Sequence, residues 1–240
     1  HSPIAQVYQS SMITVNGGSV LVGIKEDGIT PAGNIIGDIS DSKVGTNASI
    51  RFVGTNNNAT FTGIAYISIT GADVKIANNV IAGVTIDFFN SYTTERTVFF
   101  TGINILGTAA SNILIQNNQI GNNAVGVAPT AMSIQNYRGR NNYGIYANTA
   151  LPATTTLTIT DNKINNMYKS VNGTNQTYVN GIWINTAVLC LVTITNNEIR
   201  DLVFSAGRFN DTPLNWSSGI TLGAQGSGSV ISGNTIANIT

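Results

Sequence analysis

The sequence predicts an all-β protein built as a parallel β-solenoid, and three observations lead to this fold class. Charged residues make up only 9% of the 240 residues, whereas soluble domains ordinarily contain about a quarter. Asn, Thr, Ser and Gly must therefore keep the surface polar, which is typical of turns and strand faces rather than helices. A motif containing an Asn pair recurs along the chain. Apolar and polar residues alternate around it with a period of two, which indicates strands.

The repeat has two landmarks in a fixed order, and both occur five times. The second Asn of the motif falls at Asn79, Asn118, Asn162, Asn197 and Asn234. These positions are 39, 44, 35 and 37 residues apart. A Gly-Ile pair lies 15 to 18 residues before each of them, at Gly63-Ile64, Gly102-Ile103, Gly144-Ile145, Gly181-Ile182 and Gly219-Ile220. A sixth, weaker copy at residues 33–40 opens the series, so the chain is an array of units of nearly forty residues.

Each unit contains strands that are too short to bury their apolar side alone. Stacking one unit on the next buries it, with equivalent residues about 4.8 Å apart in parallel pairing. The isoleucines three residues before each Asn, such as Ile76 and Ile115, and those two residues after it, such as Ile81, then form columns. We expect the Asn residues to form a structural ladder, because Asn accepts left-handed turn geometry and its amide can bond the identical amide above and below.

The letters GI-x-I followed by x-I-x-I-x-N-N-x-I resemble the right-handed parallel β-helix repeat of secreted polysaccharide lyases, glycoside hydrolases, phage tailspikes and large surface proteins. The segments TGINILG, NGIWIN and ISGNTIANI are similar to those of very large exported repeat proteins of the Bacteroidetes type. The resemblance covers residues 63–240 and implies a right-handed parallel β-helix of five to six coils with long loops on one side. Residues 1–60 would form an N-terminal coil or cap, and residues 61–240 the repeats, which we expect to continue beyond Thr240.

Several functional classes lack the residues that they need. The formal net charge is zero and no basic run occurs, so we expect no nucleic-acid partner and no anionic membrane surface. No apolar run is long enough for membrane insertion. The single cysteine, Cys190, excludes an internal disulfide framework, and its apolar neighbours predict a buried thiol. His1 is the only histidine, which argues against triad chemistry and histidine zinc sites, and we predict no metal and no cofactor.

The outward position that follows each Gly-Ile pair is where the register allows side chains of neighbouring coils to meet. It reads Ala65, Asn104, Tyr146, Trp183 and Thr221, without a carboxylate. We therefore predict no catalytic residue on this face. Exposed rings on a ladder suit sugar rings or a protein partner, so Asn104, Tyr146 and Trp183 are the candidate binding residues. The alternative is that these rings only cover the solenoid as part of a satellite apolar cluster.

The acidic residues are scattered rather than repeated in register. Lys163 and Glu198 occupy the same position on adjacent units, which predicts an ion pair between coils. Asp161 replaces the first Asn of its motif, where it can serve the turn as Asn does. Glu198 with Asp201 or Asp161 is the one local grouping of carboxylates. An enzyme would combine such a pair with a base such as Arg138, Arg140 or Lys169.

These observations predict a non-catalytic structural or adhesive segment of a large secreted or cell-surface protein. Its expected partners are further repeats of the same chain or a partner protein beyond Thr240, and surface glycans. The alternative is a polysaccharide lyase or glycoside hydrolase that acts on the β-helix surface. Fold resemblance does not decide between them, because one fold hosts many activities.

Overall fold

The structure is a computed structural model. It describes residues 7–16, 20–25, 28–37, 50–54, 58–67, 73–88, 98–106, 112–122, 134–137, 141–147, 151–170, 178–184, 190–205, 216–223 and 226–240. These residues form strands, turns and irregular segments, and contain no helix. Accordingly, no helix long and apolar enough to cross a membrane occurs in these ranges.

Twenty-one strands follow one another in six coils. The first coil contains β1 (Val7–Asn16), β2 (Val20–Val22), β3 (Ile35–Gly37) and β4 (Ile50–Gly54). The second contains β5 (Asn58–Ile67), β6 (Asp73–Ala77), β7 (Val80–Ala82) and β8 (Val84–Phe88). The third contains β9 (Val98–Ile105), β10 (Asn112–Gln116), β11 (Gln119–Ile120) and β12 (Ile134–Tyr137). The fourth contains β13 (Asn141–Ala147), β14 (Thr156–Thr160) and β15 (Lys163–Ser170). The fifth contains β16 (Tyr178–Ile184), β17 (Leu191–Thr195) and β18 (Glu198–Ser205), and the sixth β19 (Trp216–Leu222), β20 (Val230–Ser232) and β21 (Thr235–Ile239).

The strands form three parallel sheets that run along the solenoid. Sheet 1 has the order β1-β5-β9-β13-β16-β19, and sheet 2 the order β2-β6-β10-β14-β17-β20. Sheet 3 collects the remaining nine strands, which are β3, β4, β7, β8, β11, β12, β15, β18 and β21. Strands of neighbouring coils thus pair in parallel with their equivalents, which confirms the predicted parallel β-helix. Its handedness and its long loops stay predictions, since the longer connections lie outside the described residues.

The first coil falls in the range predicted as an N-terminal coil or cap. Its strands β1, β2, β3 and β4 pair in parallel with β5, β6, β7 and β8 of the second coil. The division of the chain near residue 60 stays a prediction.

The core lies between the three sheets and consists of the predicted isoleucine columns. In sheet 2, Ile76, Ile115, Ile159 and Ile194 are register partners in successive coils and are all buried. In sheet 3, Ile81, Ile120, Ile164 and Ile199 form a second buried column. Cys190 is also fully buried within this core, as its apolar neighbours predict.

The glycine column explains why the two sequence landmarks occur together. A Cβ placed on Gly102 would lie 2.8 Å from Cδ1 of Ile120 across the core and 2.6 Å from the carbonyl oxygen of Gly144 in the next coil. Gly63, Gly144 and Gly181 face the corresponding isoleucine and the next glycine in the same way. Each Gly-Ile pair therefore leaves room for the isoleucine that follows the Asn pair of its own coil.

The asparagine ladder is continuous from the first coil to the sixth. The backbone N–H of Asn79 donates to Oδ1 of Asn118 over 3.0 Å, and Nδ2 of Asn79 donates to the same oxygen over 2.9 Å. The same two bonds recur from Asn118 to Asn162, from Asn162 to Asn197 and from Asn197 to Asn234. Asn34, in the weak first copy, donates in the same way to Asn79. The repeated motif is therefore structural.

The left-handed turn and the amide ladder, which the sequence assigns to one Asn, belong to two different residues of each pair. The first residue takes the left-handed backbone, with φ of 61° at Asn78, 52° at Asn117, 56° at Asp161 and 57° at Asn196. The second residue points inward and carries the ladder. Asp161 thus fits the turn because Asp, like Asn, tolerates this geometry.

Candidate functional site

The outer face of sheet 1 holds the candidate binding residues, and a local irregularity in each strand shapes it. Because Gly144 faces the core beside buried Ile145, Tyr143 and Tyr146 both lie outside, although they are three residues apart. Their rings stack with centroids 4.3 Å apart and planes 11° apart. Each coil therefore presents one residue before its Gly-Ile pair and one after it on the same surface.

The three predicted binding residues are brought together by the register of the sheet. Asn104 pairs with Tyr146, and Tyr146 pairs with Trp183, so the three lie in one outer column on the third, fourth and fifth coils. All three are partly exposed. Thr221 of the sixth coil continues the column. Their role as a binding site stays a prediction.

Trp183 is the centre of an aromatic cluster that we define as Tyr143, Tyr146, Tyr178 and Trp183. The centroid of its ring lies 5.4 Å from that of Tyr143, 6.5 Å from that of Tyr146 and 5.1 Å from that of Tyr178. The corresponding angles between the ring planes are 80°, 89° and 64°. Such edge-to-face contacts suit the charge distribution of aromatic rings. Tyr143 is only 5% exposed, and the rings of Tyr146 and Trp183 pack against it. The cluster thus has a buried base and a partly exposed rim, which combines both interpretations of the sequence.

Polar side chains fix the two sides of this cluster. Nδ2 of Asn141 donates to the hydroxyl of Tyr143 over 2.9 Å, and Oδ1 of Asn141 accepts from the backbone N–H of Tyr178 over 2.9 Å. Asn180 lies in register between Tyr143 and Ser218, and its Oδ1 accepts a short bond from the Ser218 hydroxyl. Nδ2 of Asn180 is buried without a hydrogen-bond partner, as is Oδ1 of Asn104. One donor and one acceptor of the face are therefore unused.

The face carries no charge in the part of the chain that the structure describes. Three outer columns run along sheet 1, and in β13 they contain Asn141, Tyr143 and Tyr146. From β5 to β19 these columns consist of Ala, Thr, Ser, Asn and aromatic residues. Burial raises the pKa of Tyr143 far above its ordinary value, and the neighbouring Tyr146 acts in the same direction. The Tyr143 hydroxyl therefore stays neutral and remains a hydrogen-bonding group.

The candidate carboxylates lie elsewhere, on sheet 3. Arg200 donates from Nε to Glu198 and from Nη1 to Asp201, both over 2.6 Å. Glu198 is the register partner of Lys163, as predicted. Among the ion pairs of the described residues, however, Glu198 is bound by Arg200 and not by Lys163, so the predicted ion pair between coils is wrong. Arg200 lies two residues further on the same strand, and its planar guanidinium reaches both carboxylates at once.

Asp161 does not join this group. It is exposed at the edge of sheet 2, where its carboxylate accepts from Nε2 of Gln116 and from the Thr160 hydroxyl. It lines a shallow groove of about 330 Å³. The groove is bounded by Ile24, Ile29, Pro31, Lys75, Ala77, Asn78, Gln116, Asn117 and Asp161. Its Lys75 ammonium donates to the carbonyl of Gly28, which ties the groove wall to the sheet.

Of the basic residues considered for catalysis, Lys169 alone lies within the described ranges. Lys169 is fully buried, and burial lowers the pKa of its ammonium to about 7. Arg138 and Arg140 lie outside the described residues. In the described ranges, no three His, Cys, Asp or Glu side chains approach one another closely enough to hold a metal ion.

The sequence motif did not identify Tyr143, Asn141 or Asn180 as parts of the site. Tyr143 and Asn180 each stand directly before a Gly-Ile pair, so the residue before that pair would have been a usable signal. Comparisons of the chain with protein-family models, with curated proteins and with solved structures gave no match.

Proposed function

We propose that this chain is a non-catalytic structural and adhesive β-helix segment of a large secreted cell-surface protein, which binds a glycan or protein partner through the outer face of sheet 1. Location at the cell exterior rests on the resemblance to exported β-helix proteins. The binding role rests on the aromatic cluster. Solenoids present long regular surfaces of this kind to their partners.

The observation that carries the proposal is the partly exposed pair Tyr146 and Trp183 above a buried tyrosine. The buried apolar core does not include Tyr146 or Trp183, so packing of the core does not account for these two rings. Rings held by neighbouring rings lose little conformational freedom on binding, so they serve well as contact residues. An ordered aromatic surface with polar groups at its sides is the usual composition of a binding patch.

The test is binding of the purified chain to an array of neutral and acidic glycans and to immobilised cell-surface protein. Trp183→Ala and Tyr146→Ala should each weaken binding at least tenfold, while the melting temperature changes little because both rings are partly exposed. Thr193→Ala, at a half-buried position of sheet 2, is the matched control and should leave binding unchanged. Unfolding of both aromatic variants would instead assign the rings to the core and refute the proposal.

The enzymatic alternative rests on Glu198 and Asp201, which Arg200 holds on one strand. Both carboxylates are engaged with this guanidinium, and Asp201 is only 3% exposed. A glycosidase needs two carboxyl groups that face one substrate. Release of reducing ends or unsaturated products from a broad panel of polysaccharides, with divalent metals added, would favour the enzyme. Loss of that release in Glu198→Gln would locate it here.

We further propose that another coil, from this chain or from a partner protein, packs against the sixth coil. Its core residues Ile231 and Ile236 are 51% and 49% exposed, while their equivalents in the fifth coil are fully buried. Exposed apolar surface and open strand edges in a solenoid are ordinarily covered. Adding a copy of residues 204–240 after Thr240, which is equivalent to residue 203, should raise the melting temperature and reduce binding of an apolar dye. An unchanged melting temperature would contradict this proposal.

A further inference from the structure

The chemistry of the outer face of sheet 1 narrows the class of ligand, an inference that rests on the proposed binding role of that face. We propose that the ligand is an uncharged glycan that lies along the solenoid axis over the third to sixth coils, with the amide of Asn180 donating a hydrogen bond to one of its oxygens. Asn180 is thereby the residue that determines specificity, and Trp183 and Tyr146 supply the apolar contact.

The direction of the ligand follows from the register. Asn104, Tyr146, Trp183 and Thr221 are successive partners in one column, one coil apart. Parallel strands are spaced by about 4.8 Å, so this column extends for roughly 14 Å. It is longer than one sugar ring and runs across the strands. A chain of several sugar rings laid along the axis would contact every member of the column.

The absence of charge follows from the residues that line the face. The described residues of its three outer columns offer amides, hydroxyls and aromatic rings, and none of them carries a charge. A carboxylate or sulfate placed there would lose water without gaining an ionic partner, which is unfavourable. Hydroxyl groups, by contrast, can donate and accept with the groups that are present. The face therefore favours a neutral polyhydroxylated ligand over an acidic one.

The position of the unused donor points to a hydrogen bond with the ligand. Asn180 is fully buried at its side chain, and its Oδ1 accepts from the hydroxyls of Ser218 and Thr221. Its Nδ2 has no partner, although a buried donor is ordinarily satisfied. Because Nδ2 is buried in this structure, donation to a ligand requires the side chain to turn toward the outer surface on binding, as interface side chains commonly do. Thr62 and Thr101 occupy the same register position in the second and third coils, so the sheet accepts a smaller residue there. An amide at this position is thus not required by the fold.

Asn104 supplies the complementary group. Its Oδ1 is also buried without a partner, and it lies two coils from Trp183 in the same column. A donor beside Trp183 and an acceptor roughly 10 Å away along the axis would bracket the aromatic rings. Sugar rings combine apolar faces with hydroxyls at their edges, which matches this alternation of rings and amides.

The experiment measures binding of neutral tetrasaccharides or longer gluco-, manno- and xylo-oligosaccharides, and of oligogalacturonates of equal length, to the intact chain by calorimetry. At least one neutral series should bind. Its dissociation constant should change by less than about twofold between about 0.05 and 0.5 M NaCl, because no ion pair is formed. Asn180→Thr should weaken binding by about tenfold or more with an unchanged or higher melting temperature. Thr62→Ser, at the same register position in the second coil and outside the proposed footprint, should leave binding unchanged.

The other outcomes distinguish the class of ligand from the binding role of the face. Preferential binding of the oligogalacturonates, or strong weakening by salt, would overturn the neutral-glycan inference while leaving a binding role for the face. Equal binding by the Asn180→Thr variant would overturn the assignment of Asn180. If no glycan binds but Trp183→Ala abolishes binding to a cell-surface protein, the ligand class is wrong and the proposed function stands. If neither type of partner responds to Trp183→Ala, both proposals fail.

Discussion

A single methyl group added to the glycine column tests whether the two landmarks of the repeat are physically linked. In Gly102→Ala, the new Cβ would lie 2.6 Å from the Gly144 carbonyl oxygen and 2.8 Å from Cδ1 of Ile120. The isoleucine can turn its terminal methyl aside. The carbonyl belongs to the backbone of the next coil, whose strand is held in place by parallel pairing on both sides. The two coils must therefore separate locally by several tenths of an ångström.

The same substitution at the end of the column provides the control. At Gly219, the three atoms nearest to a new Cβ all belong to the side chain of Ile236, the closest at 2.6 Å. Ile236 is half exposed and can move. Overpacking in a fixed environment costs about 1 to 3 kcal/mol. Replacing Gly by Ala returns about 0.4 to 1 kcal/mol through the unfolded chain. We therefore expect Gly102→Ala to lose about 1 to 2 kcal/mol and Gly219→Ala to lose close to none.

Urea unfolding followed by far-ultraviolet circular dichroism measures both free energies. A loss of this size in Gly102→Ala corresponds to a fall in melting temperature of roughly 2 to 8 °C for a chain of this length. Adding Ile120→Val, which lacks Cδ1, should restore part of the loss but not the part caused by the carbonyl. Equal stability of the Gly102→Ala and Gly219→Ala variants would refute the argument, because it would show that the next coil does not set the cost.

Three further predictions concern the ladder, the buried lysine and the sheet 3 ion pairs. Asn118→Ala leaves a backbone N–H of the second coil without its acceptor, so the free energy of unfolding should fall by about 2 to 4 kcal/mol; a loss below 1 kcal/mol would contradict the ladder's role. The pKa of Lys169 is about 7 in the folded chain and about 10.5 when unfolded, so between these values the unfolded state binds more protons and stability should rise with pH. Lys169→Met should remove this rise when unfolding is measured from pH 7 to 10, and an unchanged slope would count against it. Arg200→Gln leaves buried Asp201 without its ionic partner at 2.6 Å and should lower the free energy of unfolding by about 3 kcal/mol or more. Lys163→Gln should leave the free energy of unfolding almost unchanged. Equal losses in the two variants would favour the predicted ion pair between coils.

The parts of the fold that the sequence predicts are those in which every coil uses the same residue type. The isoleucine columns and the ladder repeat one residue type at one register position, so the sequence alone predicts the stacking of identical side chains. The glycine column belongs to the same class, although its reason appears only when Gly144 is seen against Ile164 and the carbonyl of Gly181. Local repetition determines these features because each coil contacts only its neighbours.

A second turn column in sheet 3 shows why other features could not be predicted. Its members are Gly83, Asn122, Asn166, Asp201 and Asn238. Most of them have positive φ, and amides bond between coils here as well, with Asn238 donating to Asp201 over 2.9 Å. The letter changes from coil to coil, and only tolerance of left-handed geometry is shared. No fixed motif marks such a position, so its function in the turn depends on three-dimensional register.

The ion pairs and the amide atoms without hydrogen-bond partners could not be predicted for a related reason. The sequence places Glu198 opposite Lys163, but the free energy of an exposed pair is small, and a guanidinium on the same strand that reaches two carboxylates gives a better geometry. In the same way, the sequence shows Asn180 before a Gly-Ile pair without revealing which of its amide atoms is engaged. These outcomes depend on competition between several partners at once.

The contrast between repeated and unrepeated columns also bears on function. Where stability alone acts, successive coils converge on one residue, as Ile115, Ile159 and Ile194 do. The outer columns of sheet 1 depart from this rule, since the position before the Gly-Ile pair changes from Thr101 to Tyr143 and then to Asn180. Solvent-exposed positions can vary without consequence, but a buried amide with an unused donor beside stacked rings has an energetic cost that threonine would avoid. On the outer face of sheet 1 this cost falls on Asn104 of the third coil and Asn180 of the fifth. Binding of a ligand over these coils is the benefit that the proposed variants would measure.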